Sequence, residues 1–297
     1  MALNHSLAKL GFIGLLTLLP NGNRMFSQVR TTQDDTVLAA NAVPPPLVDG
    51  KGDDKCWRNV PWQRIGQGWI PYDAQVDSED DFGRYKVVWS STTNLLYFLI
   101  EIHDNVFVDG YAPGVTADIY NFDIVEVFID ADASGGPHVF DGTGDVGREW
   151  GANAANAFAY HIYAAFPRDN GVTTDHYVGD MGGTSRSDVK THNYASHLPD
   201  FALGKTGHTA VWEFSLIVYS DTDKESNKNA ARVKLAPGKV MGLSAAYCDN
   251  DHPEKNPKVR DHAFGSVLEP SPGNLHWRTA DYFGKVKLVP SVSGGDQ

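Results

Sequence analysis

The stretch "DIVEVFIDA", residues 123–131, sets the fold class, because its apolar and polar residues alternate with a period of two. Val125, Val127 and Ile129 fall on one side of such a segment, and Glu126 falls on the other. This alternation is typical of a β-strand with one face in a core, since successive side chains point to opposite faces. It also singles out Glu126 as a carboxylate that points away from that core.

Similar short apolar runs, separated by clusters of Gly, Asn, Asp and Pro, fill the chain on both sides of this stretch. They are "YKVVWSS" (85–91), "LLYFLIEIHD" (95–104), "AFAYHIYAAF" (157–166), "TAVWEFSLIVY" (209–219), "KVMGLSAAYCD" (239–249) and "FGKVKLV" (283–289). Their β-branched and aromatic residues favour strands, and only brief segments such as 223–231 allow a helix. The sequence therefore predicts an all-β fold, an antiparallel β-sandwich of jelly-roll type with long polar loops.

The chain divides into four segments by composition. Residues 1–28 are predicted to be a signal peptide, because Lys9 precedes the apolar run "LGFIGLLTLLP", which is too short to span a bilayer. The alternative is a buried N-terminal helix. Residues 29–44 are polar and then proline-rich, as in a linker, and residues 291–297 form a tail. The single domain is placed at 45–290, with long loops at 131–156 and 167–209.

Charge and cysteine content narrow the possible partners and compartments. The formal net charge is −12, without a cluster of Lys and Arg, which argues against nucleic acid and anionic membranes as partners. Cys56 and Cys248 are the two cysteines. In an exported protein they allow one disulfide, and two buried free thiols are the equally weighted alternative. Nothing in the sequence fixes an oligomeric state.

Four residues have the chemistry of a sugar-binding site. Trp277 lies in a polar loop ahead of the last apolar strand, and an indole plane buries the apolar face of a pyranose while its N–H stays free. Tyr120 and Asp123 precede the strand that carries Glu126, and carboxylates beside an aromatic suit hydrogen bonds to vicinal hydroxyls. The alternatives are an aromatic at a core edge and a solvated strand face.

Six segments in this order resemble the family 9 carbohydrate-binding modules. They are "PPLVDGKGDDKCW", "VVWSSTTNLLYFLIEIHD", "NFDIVEVFID", "VWEFSLIVY", "MGLSAAYCDND" and "HWRTADYFGKVKL", which together cover most of residues 45–289. The resemblance implies a β-sandwich, often stabilised by calcium, that holds the end of a glucan or xylan chain between two aromatic platforms.

Carried over to this sequence, the resemblance assigns the platforms to Trp277 and Tyr120, where the second is tryptophan in the family. It assigns hydroxyl-binding roles to Glu126 and Asn274. His161 stands where the family has an arginine, and Ala246 where it has a glutamine, so the ligand is expected to differ from that of the family's best-known members.

Calcium is the cofactor that the sequence predicts. The turns "DADASGG" and "CDNDHPEKN" concentrate oxygen ligands of the kind that hard cations prefer, and the candidates are Asp130, Asp132, Asp249 and Asp251. Asx-rich turns that cap their own backbone are the alternative. In "RDHAFGS", Arg260 either orients the binding cleft or pairs with an acidic neighbour.

Two other functions stay open. A polysaccharide-active hydrolase or lyase needs an acid–base pair, for which Tyr160, His161, His176, His192 and His197, or Glu126 with Asp123, Glu149 or Asp249, are available. A haem-binding domain needs an axial ligand such as Met181 or Met241. The sequence favours an exported carbohydrate-binding protein that supports polysaccharide degradation.

Overall fold

A computed structural model describes the chain over eleven stretches of residues. These are 36–66, 68–71, 82–109, 119–136, 138, 157–180, 194–220, 228–254, 260–267, 276 and 279–291. All of them lie within one compact unit that spans residues 31–297.

The described residues are almost entirely β-strand and loop. Strands β1 to β14 are, in chain order, Thr36–Asn41, Gln63–Ile65, Gly68–Pro71, Phe82–Ser90, Leu95–His103, Ile124–Asp130, Phe158–Ala164, Gly171–Thr173, His176–Asp180, Phe201–Thr206, Thr209–Leu216, Val240–Asp249, His262–Gly265 and Gly284–Val289. One short α-helix, α1, spans Lys228–Ala231, and 3₁₀ turns lie at Lys55–Trp57, Ile119–Asn121, Tyr194–His197 and Ala280–Tyr282. The predicted all-β class is confirmed.

The strands form one continuous sheet that folds over on itself as in a sandwich, and we call its two halves layers. One layer has the order β8-β10-β11-β5-β4 and the other β14-β12-β6-β7-β9, and β1 lies between β4 and β14. Strands β2 and β13 extend the layers by pairing with β4 and β12, and β3 pairs with β13. Neighbours run antiparallel except at β1, which is parallel to both β14 and β4.

Strand β1 lies within the segment that the sequence assigned to a linker. Its Ala39 is buried in the main core, and Val37 packs against that core, while Leu38 is exposed. The strand is short, and its partner β14 lies 249 residues further along the chain in the register Thr36↔Lys285. Local sequence carries no signal for a parallel pairing of that range, which explains why composition alone suggested a linker.

One apolar core fills the space between the two layers. Val125, Val127 and Ile129 of β6 belong to it, as the alternation predicted. Trp212 of β11 meets Tyr247 of β12 edge-on across the layers, with ring centroids 6.0 Å apart. Burying each large apolar side chain contributes about 1.5–3 kcal/mol, so this core is the main source of stability.

The outer face of β6 is also covered, which the alternation did not indicate. Ile124 packs with Tyr163, Cys248 and Ala263. Phe128 packs at the other end of the strand in a second cluster, which contains Ala157, Ala159, Ala246, Ala280 and Phe283. Glu126 therefore lies between two apolar clusters and is 2% exposed.

Both cysteines are free thiols. Cys56 packs against the outer cluster of the first layer, around Trp57 and Tyr97, whereas Cys248 lies in β12 beneath the outer face of the second layer. Of the two alternatives that the sequence left open, the structure shows the unpaired thiols.

Candidate functional site

The strand register places a short polar row on the outer face of the second layer. Glu126 of β6 lies opposite His161 of β7 on one side and Ala246 of β12 on the other. Gly265 of β13 follows Ala246 in the same row. Directly opposed residues on neighbouring strands share a face, so Glu126 and His161 are the two functional groups of this central row.

Glu126 and His161 form a buried carboxylate–imidazole pair with hydrogen-bonding capacity to spare. His161 Nε2 lies 3.0 Å from Glu126 Oε1, and both side chains are almost completely buried. Among the described residues, neither Glu126 Oε2 nor His161 Nδ1 has a hydrogen-bond partner. A buried polar atom without a partner costs about 1–3 kcal/mol, so this pair is arranged for a further polar group.

Arg260 and Cys248 lie beside Glu126 and influence its pKa. The Cys248 thiol donates to Glu126 Oε1 over 3.4 Å, and Arg260 Nη1 lies 3.0 Å from the Cys248 sulfur. Burial favours a raised pKa for Glu126, but the His161 imidazole and then the Arg260 guanidinium outweigh it and lower that pKa to about 2. Glu126 is therefore an ionised acceptor at neutral pH.

Tyr120 lies at the end of this face where β6 begins. It sits in the 3₁₀ turn Ile119–Asn121 and packs, partly buried, against the cluster around Ile124 and Tyr163. The Arg260 guanidinium carbon is 5.0 Å from the centroid of the Tyr120 ring. A guanidinium thus reaches this face from Arg260, for which the sequence left open a role in the cleft or a pairing with an acidic neighbour.

His276 fixes the chain at the other end of the face. Its ring stacks on Phe128 at 5.7 Å and lies 2.9 Å from the Ser244 hydroxyl, while His138 Nε2 donates to its carbonyl oxygen over 2.6 Å. Trp277 and Asn274, the other predicted ligand-binding residues, lie outside the described residues. The residue next to Trp277 is thus held beside Phe128, two positions along β6 from Glu126, and no pattern in the sequence indicated this.

A separate acidic cluster lies where β6 begins and β12 ends. Asp104, Asp123 and Asp249 are buried and bring carboxylate oxygens within 4.8 Å of one another. Asp123 accepts the backbone N–H groups of Val108 and Asn250. Burial, followed by repulsion from Asp104 and Asp249, raises the pKa of Asp123 well above its ordinary value. Three converging carboxylates of this kind suit a hard divalent cation.

The four predicted cation ligands belong to different places. Asp130 and Asp132 share the turn after β6, where the Asp130 carboxylate accepts backbone N–H groups of that turn, including that of Gly135. Asp249 lies at the opposite end of β6, because Asp130 pairs with Gly242 and Ile124 with Cys248. The backbone N–H of Asp251 donates to Asp261. Asp249 therefore joins Asp104 and Asp123, whereas Asp130 caps its own turn.

Three of the groups considered for catalysis and haem ligation, Tyr160, His197 and Met241, are buried. Tyr160 faces the interior, opposite to His161, and its hydroxyl lies 2.8 Å from His197 Nδ1. Both members of this pair are at most 1% exposed. Met241 is likewise in the core, and Met181, Glu149 and His192 lie outside the described residues.

The lowered pKa of Glu126 predicts how acid affects stability. Its ordinary value is 4.5 and its folded value about 2, so between these pH values the unfolded chain binds more protons than the folded one. The stabilisation that the ionised Glu126 carboxylate contributes is complete above its ordinary pKa and is lost as the pH falls through its folded pKa. The difference in free energy of unfolding between wild type and Glu126→Gln should shrink between neutral pH and about pH 3 in urea denaturation. A difference independent of pH would contradict the lowered pKa of Glu126.

Comparisons with known proteins agree with this architecture. The family model described as "Carbohydrate family 9 binding domain-like" matches residues 48–291. A family 9 carbohydrate-binding module from Caldicellulosiruptor kristjanssonii in complex with cellotriose is 15% identical, with a TM-score of 0.54 over 89% of this chain and 98% of that one. The same organism's module in complex with glucose is 16% identical, with a TM-score of 0.55 over 89% and 100% of the two chains.

The search of curated proteins found no match. Among the described residues, none of the helices has the length and apolar character needed to cross a membrane.

Proposed function

This chain belongs to the carbohydrate family 9 binding domain-like family, and we propose that it binds an oligo- or polysaccharide on the outer face of β6, β7 and β12. The site consists of the central row, with Tyr120 at one end and the segment of His276 and Trp277 at the other. Exported from the cell, such a protein supports polysaccharide degradation by attaching to the polymer.

The observation that carries this proposal is the buried pair Glu126–His161 with one unused polar atom on each residue. A sugar presents hydroxyl groups that donate and accept at once, so one hydroxyl donates to Glu126 Oε2 and a neighbouring one bonds His161 Nδ1. Arg260 adds charged donors beside them. A purely apolar ligand leaves all of these groups unsatisfied and is disfavoured.

Aromatic stacking supplies the rest of the binding energy in this proposal. Tyr120 packs beside Arg260 at one end of the face, and the anchored His276 brings the chain to the other end just before Trp277. A pyranose ring offers C–H groups to an aromatic plane on each side. Two platforms therefore orient the ring, while the central row forms hydrogen bonds with its hydroxyl groups.

Replacing the two proposed platforms tests the stacking. Trp277→Ala and Tyr120→Ala should each weaken binding about tenfold, because each removes a stacking surface without touching the Glu126–His161 pair. Isothermal titration with a panel of gluco-, xylo- and manno-oligosaccharides measures the loss, and an assay of the same mixtures for new reducing ends or unsaturated products separates binding from turnover. Val172→Ala, at an exposed position on β8, is the control. Equal affinity in all four proteins would refute the platforms.

We further propose that Ca²⁺ occupies the cluster of Asp104, Asp123 and Asp249. The donor set fits because three carboxylates converge in a buried place, where like charges repel one another unless a cation or protons compensate them. When bound, the ion supplies charge compensation. The residues themselves join the loop after β5, the start of β6 and the end of β12, the last two of which frame the sugar-binding face.

A further inference from the structure

The pair at the centre of the proposed site has its two available polar atoms on adjacent strands. Glu126 Oε2 and His161 Nδ1 are buried, and neither has a hydrogen-bond partner among the described residues. The two residues lie directly opposite each other in the antiparallel register of β6 and β7. Directly opposed residues have Cβ atoms about 4.5–5.5 Å apart, so one sugar ring spans both atoms. What each atom donates or accepts therefore selects the ligand.

Glu126 has its remaining hydrogen-bonding capacity at Oε2. The other oxygen, Oε1, lies 3.0 Å from His161 Nε2 and 3.4 Å from the Cys248 sulfur. Burial, followed by the nearby Glu126 carboxylate, raises the pKa of the Cys248 thiol, so the thiol stays protonated and donates. An ionised carboxylate only accepts hydrogen bonds. Oε2 is thus an acceptor that meets no donor in the described part of the chain.

The contact with Glu126 also fixes the tautomer of the His161 ring. Because Glu126 Oε1 accepts, the hydrogen of the neutral imidazole is on Nε2, and the lone pair is on Nδ1. Arg260 contacts Cys248 on the β12 side of Glu126, whereas His161 lies on the β7 side. This guanidinium already balances the charge of the carboxylate, and a neutral ring keeps the buried row without net charge. Nδ1 is therefore a second acceptor.

Two neighbouring acceptors require two donors from the ligand. We infer that the site selects a neutral sugar with two adjacent unsubstituted hydroxyl groups, one of which donates to Glu126 Oε2 and the other to His161 Nδ1. This selection rests on the function proposed above. A uronate or sulfate directed at the pair only accepts and is repelled by Glu126, and an O-methyl or O-acetyl group has no hydrogen to donate. Unsubstituted stretches of a neutral polysaccharide are therefore the substrate class.

A metal ion is the other partner that two acceptors attract. The pair supplies one oxygen and one nitrogen, and the neighbouring Cys248 is a protonated thiol, which is a poor ligand compared with a thiolate. Within the residues that the structure describes, a group of three possible metal ligands occurs only in the acidic cluster at the start of β6. The positive charge of Arg260 beside Glu126 disfavours a further cation. Hydroxyl groups fit the pair better than a metal ion.

Deoxy and deoxyfluoro sugars distinguish donation by the ligand from acceptance. Methyl β-glucoside, β-xyloside and β-mannoside are titrated calorimetrically at about pH 8, where histidine side chains are largely neutral. Each is compared with analogues in which one hydroxyl at a time is replaced by hydrogen or by fluorine, which has no hydrogen to donate. At two adjacent positions both replacements should weaken binding, about 30-fold opposite Glu126 and about fivefold opposite His161. Methyl β-glucuronide should bind about tenfold more weakly than the glucoside.

Two variants connect each hydroxyl to its partner on the protein. In His161→Gln the parent glycoside should bind about fivefold more weakly, and the analogue altered at the corresponding hydroxyl should bind no more weakly than the parent, because their contact is already lost. Glu126→Gln should reduce the loss at the other hydroxyl in the same way. His103→Gln alters an exposed histidine on β5, in the first layer, and is the matched control, which should keep the full pattern.

NMR of ¹⁵N-labelled histidines adds a readout that is independent of affinity and of the variants. His161 Nδ1 should give the signal of an unprotonated nitrogen, which shifts when the glycoside binds. Retained affinity of a fluoro analogue whose deoxy counterpart binds weakly would show that the sugar accepts at that position, and would overturn the two-donor selection while sugar binding stands. A protonated Nδ1, or a glucuronide that binds as tightly as the glucoside, overturns it too. If none of the three glycosides binds, the selection falls, and titration of the oligosaccharide panel with the same protein decides whether the proposed function falls as well.

Discussion

Replacing Glu126 by glutamine should lower the affinity of this chain for its oligosaccharide by about 100-fold. The substitution keeps the shape of the side chain but removes the charge that holds His161 and faces Arg260. A hydrogen bond to a charged group contributes about 1.5–3 kcal/mol, and about 2.7 kcal/mol corresponds to the expected factor. Calorimetric titration of the wild type and the variant with the same ligand gives the ratio.

Glu101→Gln is a matched control for this change. Glu101 also sits on a strand and pairs with a cation, Arg84, but it lies in the first layer, away from the central row. Its substitution should leave the affinity within a factor of about two, because a partly exposed ion pair contributes little. Equal losses in the two variants would show that the charge of the protein, and not the central row, governs binding. Retained affinity in Glu126→Gln would remove this carboxylate from the site.

Calcium should raise the melting temperature of the wild type strongly, and Asp123→Asn should abolish this effect. A ligand that binds the folded state at about 1,000 times its dissociation constant stabilises it by about 4 kcal/mol, which amounts to roughly 8–16 °C for a chain of this size. The three buried carboxylates of the cluster make this gain possible because they repel one another without compensation. Thermal unfolding with Ca²⁺ and with a chelator measures the shift.

The variant Asp132→Asn distinguishes two candidate calcium sites, the acidic cluster and the turn after β6. Asp132 lies in the turn after β6, at the opposite end of that strand from Asp249. If the cluster of Asp104, Asp123 and Asp249 binds the ion, the calcium shift persists in Asp132→Asn and is lost in Asp123→Asn. The reverse result would assign the ion to the turn. No shift in the wild type would leave the cluster compensated by protons, as the raised pKa of Asp123 allows.

The sequence predicted the orientation of the side chains of β6 but not the burial of both faces of this strand. Alternation in "VEVFID" placed Val125 and Val127 in the core and Glu126 on the opposite face, because side-chain direction in a strand is set by local geometry. The same alternation did not show that the opposite face is itself buried. That depends on Tyr163, Cys248 and Phe283, which lie 37 or more residues away in the chain.

The sequence by itself determined the all-β fold, the family and the polarity of β6, since periodicity and residue type act within a few positions. Only the tertiary structure decided that Glu126 lies against His161, that Arg260 reaches Tyr120 and that Asp249 meets Asp104 and Asp123. Such contacts arise from the register between strands far apart in the chain. A register shift of one residue turns every side chain to the other face, and packing of the whole sandwich fixes it.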